Sequence, residues 1–147
     1  MVSHDPARHD QLQRGLRHAR LCARVCEDYK GKDTVVLDLS PVTPIVDYFV
    51  ITTGTSRRQM HAIAEETDRI LQGEGSARRG LEGYARSDWI LQDYGDVVLH
   101  VFTAEARRTY DLERLWADAP RVDWRADLEA LPAEAPPSEQ NRDAGQE

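Results

Sequence analysis

EGYARSDWILQDYGDVVLHVFTAEARRTYDLERLW, residues 82–116, reads as a strand, a tight turn, a second strand and a short helix. Trp89–Tyr94 and Val97–Phe102 form a hairpin around Gly95-Asp96. With a two-residue turn, Trp89, Leu91, Asp93, Val98, His100 and Phe102 share one face, and Ile90, Gln92, Tyr94, Val97, Leu99 and Val101 share the other. Acids and an imidazole on an apolar hairpin must be satisfied in the core, used in chemistry or shown to a partner. His100 falls one diagonal step from Asp93. That pair is either an acid–base or metal-binding couple or a histidine held by a carboxylate at the sheet margin. Neither His61 nor Asp96 is placed to supply a third ligand, so no metal site is expected.

Upstream, Leu12, Leu16, Ala19, Cys22, Ala23, Val25, Cys26 and Tyr29 recur at helical spacing, which predicts a helix over 7–29 with Gly31 as its stop. Thr34–Leu39 and Tyr48–Thr53 are short β-branched and aromatic runs, expected as strands covered on both faces. Pro41 and Pro44 mark the loop between them. Ser56 followed by Gln59 is a capping box opening a helix whose stripe is Met60, Ile63, Ala64, Thr67, Ile70 and Leu71, ended by Gly73 and Gly75. Residues 78–86 read as a short edge strand or an extended loop. Thr103 caps a last helix carrying Tyr110, Leu112, Leu115 and Trp116. The order α, β, β, α, β, β, β, α predicts an α/β fold with one mixed sheet packed by helices.

The 147 residues make one domain, placed at residues 7–118. Over 126–147 the composition turns to Pro, Glu, Gln and small residues, with Asp127, Glu129, Glu134, Glu139, Asp143 and Glu147 against Arg142. This stretch is expected to be a disordered acidic tail of net charge −5, which leaves −2 of the chain's −7 for the rest. A nearly neutral folded part argues against a dedicated nucleic-acid binder. Cys22 and Cys26, the two cysteines, are expected as small core residues in a reducing compartment. No apolar run is long enough to span a bilayer, and a cytoplasmic location is expected.

Gly54-Thr55-Ser56 leads from a strand into a helix N-terminus, a geometry that can hold a phosphate. It lacks P-loop spacing and lysine, so ordinary capping is the simpler reading. A nucleotidyltransferase needs paired carboxylates soon after such a turn; Asp93 and Asp96 come far downstream and straddle another turn. No serine sits in a nucleophile elbow. Hence no catalytic residue and no cofactor are assigned. Trp89 among Glu82, Asp88, Asp93 and Asp96 is either a core filler or the aromatic anchor of a contact with a basic partner. Trp116 reads as core.

DYFVITTGTS at 47–56, AIAEE at 62–66, EGYARSDWILQDYGDVVLHVF at 82–102 and RRTYDLERLW at 107–116 occur in this order. Together they resemble the ribosomal silencing factor (Iojap) family over about residues 10–118. The resemblance implies a nucleotidyltransferase-like fold without catalytic carboxylates and a non-enzymatic role. It further implies binding to protein fourteen of the large ribosomal subunit, obstruction of a bridge between the subunits and repression of translation. A role in large-subunit assembly and, further off, a nucleotide-binding enzyme are the alternatives. The family's acidic and aromatic motif falls on Glu82, Gly83, Trp89, Asp93, Gly95, Asp96 and His100. Its second motif falls on Tyr110, Leu112, Glu113 and Trp116. Glu82, Asp88, Trp89, Asp93, Asp96 and His100 are therefore the expected partner-binding residues. An uncovered apolar sheet face can also pair two copies as a homodimer away from the ribosome. No membrane or dedicated nucleic-acid partner is expected.

Overall fold

Two helices on one face and two short ones on the other enclose a six-stranded mixed sheet of order β3-β4-β5-β2-β1-β6. This computed structural model describes residues 5–126. In chain order the elements are α1 (Pro6–Asp28), β1 (Lys32–Asp38), β2 (Tyr48–Gly54), α2 (Arg57–Gly73) and β3 (Gly80–Glu82). They continue with β4 (Trp89–Asp93), β5 (Val97–Thr103), α3 (Ala104–Tyr110), α4 (Leu112–Leu115) and β6 (Arg121–Val122). β2 and β5 are parallel, and the other neighbours are antiparallel. The α/β class with a single mixed sheet is as the sequence predicts. The acidic tail predicted over 126–147 lies, from Asp127 on, outside the described residues.

β2 is buried along its whole length, as its unbroken apolar run requires. On one face Ala19, Cys22 and Cys26 of α1 and Met60, Ile63 and Ala64 of α2 pack over Val36, Val50, Leu99 and Val101. On the other, Leu37, Phe49, Ile51, Val98 and Phe102 lie under Ala106, Leu112, Leu39 and Val46. Seven- and four-residue helices cannot roof a whole sheet face. That shortfall leaves the second face partly open.

The caps follow local chemistry. Asp5 accepts from the Ala7 N–H, and Pro6 opens α1. At the other end Lys30, not Gly31, takes the left-handed conformation, with φ 69°. Gly31 is required for another reason: a Cβ there would lie 2.5 Å from Thr52 Oγ1 and 2.9 Å from the Cys26 carbonyl. Ser56 accepts from Gln59 N–H at 3.1 Å, as a capping box demands. The Gln59 side chain, however, takes the N–H and hydroxyl of Thr55 rather than the N–H of Ser56.

The hairpin has the predicted register. Trp89 faces Phe102, Leu91 faces His100 and Asp93 faces Val98, with Gly95 at φ 89° in the two-residue turn. The single last helix predicted from Thr103 is corrected to two, because Asp111 turns left-handed at φ 44° and ends α3. Leu112 is then buried while Tyr110 and Leu115 are exposed. The sheet also continues past the predicted limit at 118. β6 pairs with β1, and Trp124, 4% exposed, donates from Nε1 to the Thr34 carbonyl.

Of the two readings left open for residues 78–86, a short edge strand, β3, forms over Gly80–Glu82 and is followed by a turn clasped to α2. His61 Nε2 lies 2.7 Å from both the Tyr84 carbonyl and Ser87 Oγ, and its ring stacks on Tyr84. Gly83 adopts φ 76°, and a Cβ there would come within 1.9 Å of the Trp89 carbonyl oxygen. Gly83→Ala is therefore expected to cost about 2 kcal/mol or more of folding stability, since neither the backbone angle nor the carbonyl can yield cheaply. Urea unfolding measures it, and an unchanged midpoint would contradict the close approach.

Candidate functional site

The hairpin's second face, β2 and the end of α4 together border a groove of about 440 Å³. Its apolar lining is Phe49, Leu91, Val98 and Trp116, with Ile45 and Val46 from the loop before β2. Glu82, Asp93, His100 and Arg79 supply the polar groups. The sheet register explains the assembly. Glu82 is paired with Leu91, Leu91 with His100 and His100 with Ile51, so these side chains form one row across four strands. The row Gly80, Asp93, Val98 and Phe49 lies beside it.

His100 is 3% exposed. Its expected carboxylate partner is corrected: Trp89 Nε1–H donates to His100 Nδ1 at 3.1 Å, while Asp93 Oδ1 accepts from the Gly95 N–H at 2.7 Å. Phe49 sits edge-on to the imidazole, 4.4 Å between centroids. Desolvation pushes the His100 pKa down to about 3, so the ring is neutral near pH 7. With Nδ1 accepting, the proton sits on Nε2, and Nε2 is buried with no hydrogen-bond partner among the described residues.

Glu82, Asp93 and His100 thus share the groove. Trp89 backs it, stacked on Phe102 at 4.9 Å and packed on Tyr110 at 4.6 Å. Asp88 stands at the start of β4, accepts from the Trp89 N–H and faces Arg86. Asp96 is elsewhere. Its carbonyl holds the N–H groups of Asp47 and Tyr48, and it lines a different, charge-balanced depression with Arg8, Arg14, His18 and Asp47. Trp116, read as core, is half-buried: it meets Phe49 edge-on and also lines the groove. Ile45, 84% exposed, was missed by sequence reading. Its signal was an aliphatic residue placed beside Pro44 in a loop.

The turn before α2 is poor as a phosphate cradle, because Gln59 and Ser56 side chains occupy the N–H groups of Thr55 and Gln59. Cys22 and Cys26 are buried free thiols, the latter with its pKa raised by the neighbouring Cys22 and by burial. Among the described residues no group of three or more His, Cys, Asp or Glu could hold a metal ion. No helix among them is long and apolar enough to cross a membrane.

The α/β domain thus has a half-roofed sheet whose open face combines aromatic, aliphatic and acidic side chains. The family described as ribosomal silencing factor during starvation matches residues 12–147. A ribosomal silencing factor of Halalkalibacterium halodurans is 40% identical over 104 residues, 71% of this chain and 89% of that relative. A crystal structure of a Chromobacterium violaceum protein superposes with a TM-score of 0.65 at 38% identity, covering 68% of this chain and 83% of that one. A mouse protein named for mitochondrial assembly of the large ribosomal subunit is 35% identical over 58% of this chain and 39% of its own length. The chain belongs to the ribosomal silencing factor family.

Proposed function

We propose that the chain binds the large ribosomal subunit through that subunit's protein fourteen and keeps the small subunit from joining, which represses translation. The groove carries this reading: an apolar floor of Phe49, Leu91, Val98 and Trp116 beside Glu82 and Asp93 suits a protein segment with basic side chains. Trp89 and Asp88 flank the contact and His100 underlies it, while Asp96, in the separate depression, lies outside it. The action is steric. It occupies volume at a subunit bridge in the cytoplasm and needs neither a cofactor nor a covalent step. In sucrose gradients, purified small and large subunits mixed with excess protein are expected to sediment apart, with the protein on the large subunit. Normal joining at saturation overturns the reading.

The name of the mouse relative favours a second reading, an assembly factor for the large subunit. Depletion from cells then causes incomplete large subunits to accumulate, whereas silencing alone leaves them complete and merely joined more often.

A further inference from the structure

We infer that His100 donates a hydrogen bond from Nε2–H to a backbone carbonyl of the protein segment that enters the groove, with Trp89 as the positioning residue that fixes the tautomer. The inference rests on the docking reading and adds a directional contact to it. A buried N–H without an acceptor is costly, so an occupant that reaches Nε2, closed to solvent in the free chain, and supplies an acceptor recovers that loss. The imidazole cannot relieve the cost by exchanging nitrogens, because a proton on Nδ1 would confront the Trp89 indole N–H at 3.1 Å. The acceptor is neutral for a reason of charge. Glu82 and Asp93 outnumber Arg79 in the lining of the groove, so a phosphate or carboxylate is disfavoured where a peptide carbonyl is not. The occupant is thus a protein strand or loop, basic where it passes Glu82 and Asp93 and apolar over Leu91 and Val98. Beside the rest of the lining, His100 is the specificity element: apolar contact alone does not dictate where a backbone carbonyl must lie.

Affinity for purified large ribosomal subunits tests this in His100→Phe, which keeps a ring but no donor, and His100→Gln, whose amide N–H can stand near the position of Nε2. His100→Phe is expected to weaken binding about tenfold, and His100→Gln to stay within about threefold of the parent. Nitrogen NMR of the unsubstituted chain with 15N-histidine is expected to find the Nε2–H tautomer, and the Nε2 signal is expected to move when isolated large-subunit protein fourteen is added. This second measurement holds even where a variant fails to fold. Tight binding by folded His100→Phe, equal losses in both folded variants, an Nδ1–H tautomer or an unmoved Nε2 signal each overturn the inference while the docking reading stands. A parent chain that does not bind large subunits overturns both.

Discussion

Between pH 7 and pH 5 the fold is expected to lose about 2 kcal/mol of stability through His100 alone. The folded ring has its pKa lowered to about 3 by burial, whereas in the unfolded chain it titrates at the ordinary 6.5. Below pH 6.5 the unfolded chain therefore binds a proton that the folded one refuses. The contribution is fully present above that value and drains away as pH falls toward 3. His18, also lowered by burial, acts in the same direction. Urea unfolding at pH 7 and pH 5 is the measurement, with His100→Gln as the comparison. The substituted chain should show the smaller pH dependence; identical slopes would mean that His100 is not held neutral.

Trp89→Ala is expected to weaken binding to the large subunit by about 2 kcal/mol or more, roughly thirtyfold in affinity. Two losses combine. The indole stacked on Phe102 and packed on Tyr110 disappears from behind the groove, and His100 Nδ1 loses its donor. The imidazole is then free to swap its proton between nitrogens. Trp89→Phe keeps most of the stacking but not the N–H, so an intermediate loss is expected for it. A folded Trp89→Ala chain with the parent's affinity would remove this residue from the contact.

Most of the fold was legible because its signals are local. The capping serine at 56, the threonine at 103 and the Gly95-Asp96 turn each act within a few residues, and the hairpin register follows from the turn. The partner of His100 was not legible. Trp89 and Asp93 are both its diagonal neighbours across the strands, and register places their Cβ atoms without deciding which side chain reaches. The long indole spans the gap, while the short carboxylate is captured two residues away by Gly95. β6 escaped because two residues carry no periodicity, and the break at Asp111 because a left-handed aspartate leaves no compositional trace. The groove combines Ile45 and Phe49 with Leu91 and Trp116, from three separate parts of the chain. Only the folded topology makes them neighbours.

The C-terminal strand has a practical corollary. β6 forms the sheet border opposite β3, roughly 24 Å from Glu82 at ordinary strand spacing, and Arg125 is tied to Glu27 at the end of α1. A fluorophore or affinity handle grafted just after Ala126 would be attached at the rim remote from the acidic lip. On the proposed docking reading, a label there lets the chain be followed on large ribosomal subunits from the rim farthest from the groove.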